Sequence, residues 1–294
     1  MKVLSCFDGM SCGQIALNKI GAKIDKYYAS EIKPFAIKVT QENFPNTIQL
    51  GDITKVDGLV LPKIDLIIAG SPCKDLSSAN KTKDGLDGVK SGLFYEFIRL
   101  FNETNPTYFL LENVKMDKKW EDEISKILGV YPIEIDSAWV TGAFRKRLYW
   151  TNIPIRKDLV NKNVNLQDIL EYGYTERTKA RCLLESDSRP LATPVKMFHR
   201  HYSSGFTTLI FKDRQHYIDC KNHYDTNYKG LSANDIVCDS NVYDGVRYLT
   251  KKERELLQSV PVGYCDSLRE NEAASLLGDG WTVDVIAHLL EGIK

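Results

Sequence analysis

The sequence predicts an α/β protein whose sheet is mostly parallel and covered by helices. Three observations carry this prediction. Short apolar runs of strand length alternate with helix-like segments over the first 150 residues, the order is βαβα, and the apolar runs end in polar or small residues. In sheets of this kind the ligand binds outside the carboxyl ends of the strands. Polar residues that follow a strand are therefore the first candidates for function.

The individual elements follow from apolar periodicity and from turn residues. The helix over 34–44 opens with Pro34 at a favoured first-turn position. The helix over 93–101 carries an apolar stripe at helical spacing. The predicted strands are 2–6, 24–31, 65–69, 108–111 and 148–150, and the predicted helices are 12–20, 34–44, 93–101, 250–258 and 281–290.

Composition restricts the class of protein. The 294 residues include 39 Lys and Arg against 39 Asp and Glu, and 43% of the residues are hydrophobic. The chain is long enough to bury a hydrophobic core without the help of disulfides or metal ions. It has no run of about 18 apolar residues, so we expect no membrane span. The N-terminal apolar stretch is too short for a secretory signal. Seven cysteines without a CxxC pair argue against a disulfide framework or a zinc site. We therefore expect a cytoplasmic protein without metal.

Residues 175–230 differ from the N-terminal part in charge and aromatic content. They hold ten basic against six acidic residues, four of the five histidines, and interleaved Phe and Tyr. This makeup suits contacts to phosphates and bases, although a solvated β-rich subdomain with incidental charges is the alternative. We predict a catalytic and cofactor-binding domain over 1–165 plus 268–294, and a smaller target-recognition domain over 166–267.

The polar clusters after the first three strands suit a cofactor. Residues 7–13 (FDGMSCG) form a small-residue turn that lets a ligand approach the backbone near a helix N-terminus. Glu31 lies at the end of the second strand, where an acid can hold the ribose hydroxyls of an adenosine-type cofactor, and Asp52 sits similarly after a further strand that precedes 65–69. An ordinary strand–helix turn and solvated acids are the alternatives.

The next clusters suit covalent and proton-transfer chemistry. Cys73 follows the strand over 65–69 and is placed as a nucleophile, although a lone cysteine is usually a small buried hydrophobe. The polar segment 76–92 that follows is longer than a loop that only connects two elements, and it could close over a substrate. Glu112 follows a buried strand and could donate a proton. Arg145 and Arg147 could bind an anion or a carbonyl oxygen, or lie in a solvated turn.

Taken in order, these clusters resemble the motif series of the DNA (cytosine-5)-methyltransferases. The resemblance covers most of the chain except about 175–245, and the motif variants are similar to the de novo type of animal DNA methyltransferases. We expect a stand-alone catalytic unit of bacterial or phage origin. Lys74 departs from the family's usual Gln or Asn. The residues that carry the resemblance are Phe7-Asp8-Gly9 with Gly13, Glu31, Asp52, Ser71-Pro72-Cys73, Glu112-Asn113-Val114, Arg145-Lys146-Arg147, Arg247-Tyr248-Leu249-Thr250 with Glu253 and Leu257-Gln258, and Gly278-Asp279-Gly280-Trp281-Thr282-Val283.

The resemblance implies a Rossmann-like methyltransferase sheet that binds S-adenosylmethionine. It implies that Cys73 attacks carbon 6 of cytosine, Glu112 protonates ring nitrogen 3, and Arg147 holds the carbonyl oxygen at position 2. Arg145 would support the neighbouring backbone. It implies no metal. The residues that it assigns to the cofactor are Phe7, Asp8, Gly9, Met10, Ser11, Gly13, Glu31, Ile32, Asp52, Ile53, Pro72, Leu93, Asp279, Gly280 and Trp281.

The resemblance implies double-stranded DNA as the partner, with the target base flipped out of the stack. It leaves open a homo-oligomer and a cognate restriction endonuclease. Two alternatives remain. One is a branch of the family that modifies transfer RNA, although we do not find its Cys-Phe-Thr signature. The other is a regulatory DNA-binding protein without catalysis, which would be expected to lack the residues that this chain retains.

Overall fold

Within the described residues, seven strands form one mixed sheet with helices around it, as the sequence predicts for an α/β protein. The computed structural model describes residues 1–72, 92–155, 157–184, 193–237 and 241–293. The strands are β1 (Lys2–Cys6), β2 (Lys26–Ser30), β3 (Ile48–Gln49), β4 (Leu66–Gly70), β5 (Tyr108–Val114), β6 (Ile133–Asp136) and β7 (Lys146–Thr151). The helices are α1 (Cys12–Lys19), α2 (Pro34–Asn43), α3 (Leu93–Thr104), α4 (Lys118–Leu128), α5 (Pro194–Tyr202), α6 (Arg214–Asn227), α7 (Lys251–Leu257), α8 (Glu270–Asp279) and α9 (Val283–Leu290).

The strand order gives the sheet a switch point at β1. The order is β3-β2-β1-β4-β5-β7-β6, in which β1 to β5 run parallel and β7 is antiparallel to both β5 and β6. The chain leaves β1 toward β2 on one side and later returns to β4 on the other. Ligands of open α/β sheets bind in the crevice at such a point. The turns after β1, β2 and β4 therefore gather at one edge of the sheet.

Apolar side chains of α3 pack on the sheet and hold it in place. Phe94, Phe97 and Leu100 are fully buried in one cluster with residues of β1, β4 and β5. Burying each such side chain stabilises the fold by about 1.5–3 kcal/mol relative to leaving it exposed. The periodic stripe predicted over 93–101 is thus the core-facing side of α3.

Strand β5 is longer than the sequence predicts. The prediction ended the strand at Leu111, whereas the structure continues it to Val114, so that Glu112 and Asn113 lie inside the strand. The reason is pairing on both sides, because Glu112 is opposite Gly70 of β4 and Tyr149 of β7. Strand β6 and helices α4, α5, α6 and α8 have no counterpart among the predicted elements.

The chain divides into two compact units. Unit 1 comprises Met1–Asp136, Lys146–Leu159 and Trp281–Lys294, and contains the sheet. Unit 2 comprises Ser137–Arg145 and Val160–Gly280, and its core is an aromatic cluster contributed in part by α5 and α6. The assignment of 1–165 plus 268–294 to catalysis and of 166–267 to target recognition stays a prediction. Among the helices in the described ranges, none is both long and apolar enough to cross a membrane.

Candidate active site

Glu112 is held by an ion pair and a hydrogen bond from two distant parts of unit 1. Its carboxylate oxygen Oε1 lies 2.9 Å from Nε of Arg147, and its Oε2 accepts a hydrogen bond of 3.0 Å from Nε1 of Trp281. Arg147 reaches it from β7, which pairs with β5. The Glu112 side chain is only 10% exposed, so both contacts act where water screens charge weakly. The structure thus brings together three residues predicted for the site.

Asn113, which the sequence identifies only as part of a motif, joins β5 to the segment that precedes Cys73. Its Nδ2 donates to Ser71 Oγ at 3.0 Å and to the Ser71 carbonyl oxygen at 3.4 Å. Both residues are buried. Asn113 therefore fixes the backbone just before Pro72, the last described residue ahead of Cys73. The predictions for Cys73, Lys74 and most of the loop 76–92 lie outside the described residues.

Arg145 caps a helix within unit 2. It is buried, and its guanidinium donates to the carbonyl oxygens of Gly278 at 3.1 Å and Asp279 at 3.2 Å. These carbonyls close the C-terminal end of α8, where a cation is favourable. This contact suits the backbone-supporting role expected of Arg145. The predicted cofactor residues Asp279 and Gly280 lie at the same helix end.

The turn after β1 has an unusual backbone. Phe7, Gly9 and Ser11 all adopt left-handed conformations, with φ of 58°, 59° and 62°. Only Gly9 does so at no steric cost, because the other two residues carry side chains. A Cβ added at Gly9 would meet nothing within 4 Å, whereas one at Gly13 would lie 2.2 Å from Ile68 Cδ1. Open space therefore borders the turn at Gly9, and Gly13 lets α1 approach the sheet.

Glu31 ties the turn after β1 to the start of α2. Its Oε2 accepts a hydrogen bond from the Gly9 amide at 2.8 Å, and its Oε1 accepts from the amides of Ile32 and Lys33 at 2.8 and 2.9 Å. The carboxylate thus occupies the N-terminal side of α2 and faces the turn. Ile32 itself has an exposed side chain.

Asp8 and Met10 direct their side chains into the protein. Asp8 Oδ1 accepts from the Tyr27 hydroxyl at 2.9 Å, and Asp8 Oδ2 is buried without a hydrogen-bond partner. Burial raises the pKa of Asp8 to about 6. Met10 is fully buried. In this turn it is therefore the backbone that faces the open space at Gly9.

Asp52 caps the short turn Ile53–Lys55 that follows β3. Its Oδ1 accepts from Thr54 N at 3.0 Å and from Thr54 Oγ1 at 2.9 Å, and these hydrogen bonds lower its pKa. Ile53 is buried in the core of unit 1, and Phe7 and Leu93 pack partly buried against that core. Within the described ranges, no group of three or more His, Cys, Asp or Glu side chains could hold a metal ion.

The segment around Arg247 forms a structural network in unit 2. Both terminal nitrogens of Arg247 bind the buried Glu253 carboxylate at 2.8 Å, and Thr250 and Glu253 form a capping box at the start of α7. Gln258 Nε2 donates to the carbonyl oxygen of Leu277 at 2.7 Å and so joins the end of α7 to α8. These motif residues hold the fold of unit 2.

The N-terminal part of the chain matches a known protein family. Residues 1–128 match the family of C-5 cytosine-specific DNA methylases. This match confirms the resemblance predicted from the motifs, and it spans β1 to α4, including Glu31, Asp52, Cys73 and Glu112.

Curated relatives and solved structures agree with this match. Over 191 residues the chain is 33% identical to the orphan methyltransferase M.SPRI of Bacillus phage SPR, covering 59% of this chain and 43% of that protein. It is 29% identical to the type II methyltransferase M.NgoBV of Neisseria gonorrhoeae over 201 residues, covering 59% of this chain and 47% of the relative. The chain thus spans less than half the length of the curated relatives it matches.

Two solved structures share the architecture over nearly the whole chain. A variant of Spodoptera frugiperda DNMT2 superposes with a TM-score of 0.71 at 20% identity, covering 99% of each chain. The Entamoeba histolytica methyltransferase EhMeth superposes with a TM-score of 0.68 at 15% identity, covering 100% of this chain and 99% of that one. At these identities the likeness establishes the fold, which is the Rossmann-like methyltransferase sheet.

Proposed function

We propose that the protein transfers a methyl group from S-adenosylmethionine to carbon 5 of cytosine in duplex DNA. The observation that supports this best is the buried Glu112, held between Arg147 and Trp281 on the strand next to the segment that leads to Cys73. A carboxyl, a guanidinium and a cysteine are the groups needed to activate a pyrimidine ring by covalent attack.

The residues would divide the chemistry as follows. The Cys73 thiolate attacks carbon 6 of a flipped-out cytosine, and Glu112 supplies a proton to ring nitrogen 3, so that negative charge does not accumulate on the base. Arg147 holds the carbonyl oxygen at position 2. After carbon 5 has been methylated, it loses its proton to solvent, the bond from Cys73 to carbon 6 breaks with release of the thiolate, and ring nitrogen 3 returns its proton to Glu112.

The turn after β1 fits an adenosine-type cofactor. S-adenosylmethionine, when bound, supplies the electrophilic methyl group. The Glu31 carboxylate would accept a hydrogen bond from a ribose hydroxyl at Oε2, which has acceptor capacity beyond its contact with the Gly9 amide. The Asp52 carboxylate would accept a hydrogen bond from the adenine amino group. The open space at Gly9 and the partly exposed ring of Phe7 suit the approach of a ligand to the backbone.

We assign target recognition to unit 2. Fewer of its basic residues are available to bind DNA phosphates than the composition implies. Arg177 and Lys179 bind backbone carbonyls inside that unit and are not available for phosphates. Lys212, Arg214 and Lys229 are exposed and could contact the DNA backbone. A homo-oligomer, a cognate restriction endonuclease and action in the bacterial cytoplasm remain predictions.

Methylation of defined substrates tests the proposal. The protein is incubated with S-adenosylmethionine and either unmethylated duplex DNA or transfer RNA, and 5-methylcytosine is quantified by nucleoside mass spectrometry. We expect product in DNA that disappears in Cys73→Ala, with the site given by bisulfite sequencing. Product only in RNA would contradict the DNA assignment. Binding of DNA without product in either substrate would favour a regulatory protein.

A further inference from the structure

The contact between Trp281 and Glu112 joins residues 169 positions apart in the chain. Trp281 lies two residues before α9, whose residues Val283, Ile286 and Leu290 are fully buried. Its indole lies against the backbone of β4, because a Cβ added at Gly70 would be 2.8 Å from Nε1 and 3.1 Å from a ring carbon. The register of β4 and β5 sets Gly70 opposite Glu112. The indole N–H is therefore held in place from two sides.

We propose that Trp281 is a positioning residue that orients the Glu112 carboxyl and determines which of its oxygens carries the proton. This inference rests on the proposed function. An indole N–H only donates, so the oxygen that faces it must accept. Oε2 is thereby reserved as an acceptor, and the proton for the base is confined to Oε1. The contact of Oε1 with Arg147 is an ion pair at 2.9 Å.

This role is separate from closing a cofactor pocket. A phenylalanine ring could provide an apolar wall at position 281, but it has no N–H to offer Oε2. The charged group that faces the same carboxyl is the Arg147 guanidinium from β7. Gly70 of β4 contributes only uncharged backbone.

The decisive variant is Trp281→Phe, compared with Trp139→Phe as a control for the substitution itself. Trp139 belongs to unit 2 and is half exposed. The rate of single-turnover methylation of duplex DNA is measured for each variant, and S-adenosylmethionine affinity is measured separately by calorimetry. In Trp281→Phe we expect the single-turnover rate to fall by about 2- to 10-fold, as loss of one hydrogen bond implies, with no matching loss of S-adenosylmethionine affinity. The control should follow the wild type.

A second variant tests the same contact without altering the indole. Gly70→Ala places a Cβ where the ring now lies, so it should displace the N–H and lower the single-turnover rate as Trp281→Phe does. In a Glu112→Gln background, Trp281→Phe should cause no further loss of rate. An unchanged rate in both single variants, with only the affinity for S-adenosylmethionine altered, would overturn the proposal.

The hydrogen bond between Trp281 and Glu112 can also be detected by NMR, without measuring catalysis. The chain has four tryptophans, so the indole ¹H–¹⁵N signals are few enough to assign. Glu112→Gln should move the Trp281 signal, and Glu123→Gln, on α4, should not. If this shift appears while the wild type methylates no DNA, the proposed function fails although the contact exists. If the wild type methylates DNA and the Trp281 signal does not respond to Glu112→Gln, the positioning role fails and the function stands.

Discussion

Replacing Arg247 by methionine should destabilise the protein by about 3 kcal/mol, because it leaves a buried carboxylate without its cation. The Glu253 side chain is completely buried, and Arg247 binds both of its oxygens at 2.8 Å. The amides of Thr250 and Glu171 also donate to the carboxylate, at 2.8 and 2.9 Å. These two amide donors remain in the variant. We therefore expect the lower end of the 3–5 kcal/mol range for breaking a buried ion pair.

The assay is urea denaturation of the wild type and of Arg247→Met, followed by circular dichroism, with a thermal scan beside it. A loss of 3 kcal/mol corresponds to a midpoint lower by about 6–12 °C for a protein of this size. The matched control is Lys252→Met, because Lys252 pairs with Glu171 at 3.1 Å on the surface. That pair is exposed, so the control should cost less than about 1 kcal/mol.

The double variant Arg247→Met with Glu253→Met separates charge from packing. With both charges removed, no ion is left buried, and part of the lost stability should return. Two results would refute this reasoning. One is an Arg247→Met variant within about 1 kcal/mol of the wild type, and the other is a double variant less stable than Arg247→Met alone.

Three further substitutions test other parts of the structure by urea denaturation. Since the folded state raises the pKa of Asp8 to about 6, the free energy of unfolding should fall as pH rises from about 4 to 6. Asp8→Asn should remove this fall and add up to about 3 kcal/mol to the free energy of unfolding above pH 7. A variant with the same pH dependence as the wild type would contradict this prediction. Lys179→Met loses hydrogen bonds of 2.6–2.8 Å to three carbonyls and should cost about 3 kcal/mol, whereas an unchanged midpoint would show that the ammonium contributes nothing. Gly173→Ala brings a Cβ within 2.5 Å of the Phe211 carbonyl at a φ of 95° and should cost more than Gly230→Ala, which at a φ of 87° meets no atom within 4 Å; equal costs would exclude the steric argument.

The sequence predicted which polar residues follow the parallel strands because that information is local. Apolar runs of strand length and the polar residues after them are readable from neighbouring positions. Glu31 and Asp52 therefore lie where the pattern placed them, after β2 and β3. The predicted end of β5 was wrong because the last residues of this strand are polar. They stay extended because they pair with two neighbouring strands, not because of their own preference.

The contacts of Arg145 and of the basic residues in unit 2 could not be predicted from spacing or composition. Arg145 and Arg147 are two positions apart, which suggests one face of one strand, but β7 begins at Lys146. Arg145 instead caps α8, a helix more than 120 residues away in sequence. Counting charges likewise treats Lys179 as available, whereas three carbonyls bind its ammonium.

The spacing of Glu112 and Asn113 follows from the geometry of a strand. Successive side chains of a strand point to opposite faces, so two adjacent residues can serve two different partners. Glu112 meets Trp281 and Arg147, whereas Asn113 holds Ser71 in the segment before Cys73. A shift of one residue in the pairing of β5 with β4 would exchange these two faces. The register of these two strands therefore fixes the carboxyl and the backbone leading to the cysteine together, which explains why the motif needs both residues in this order.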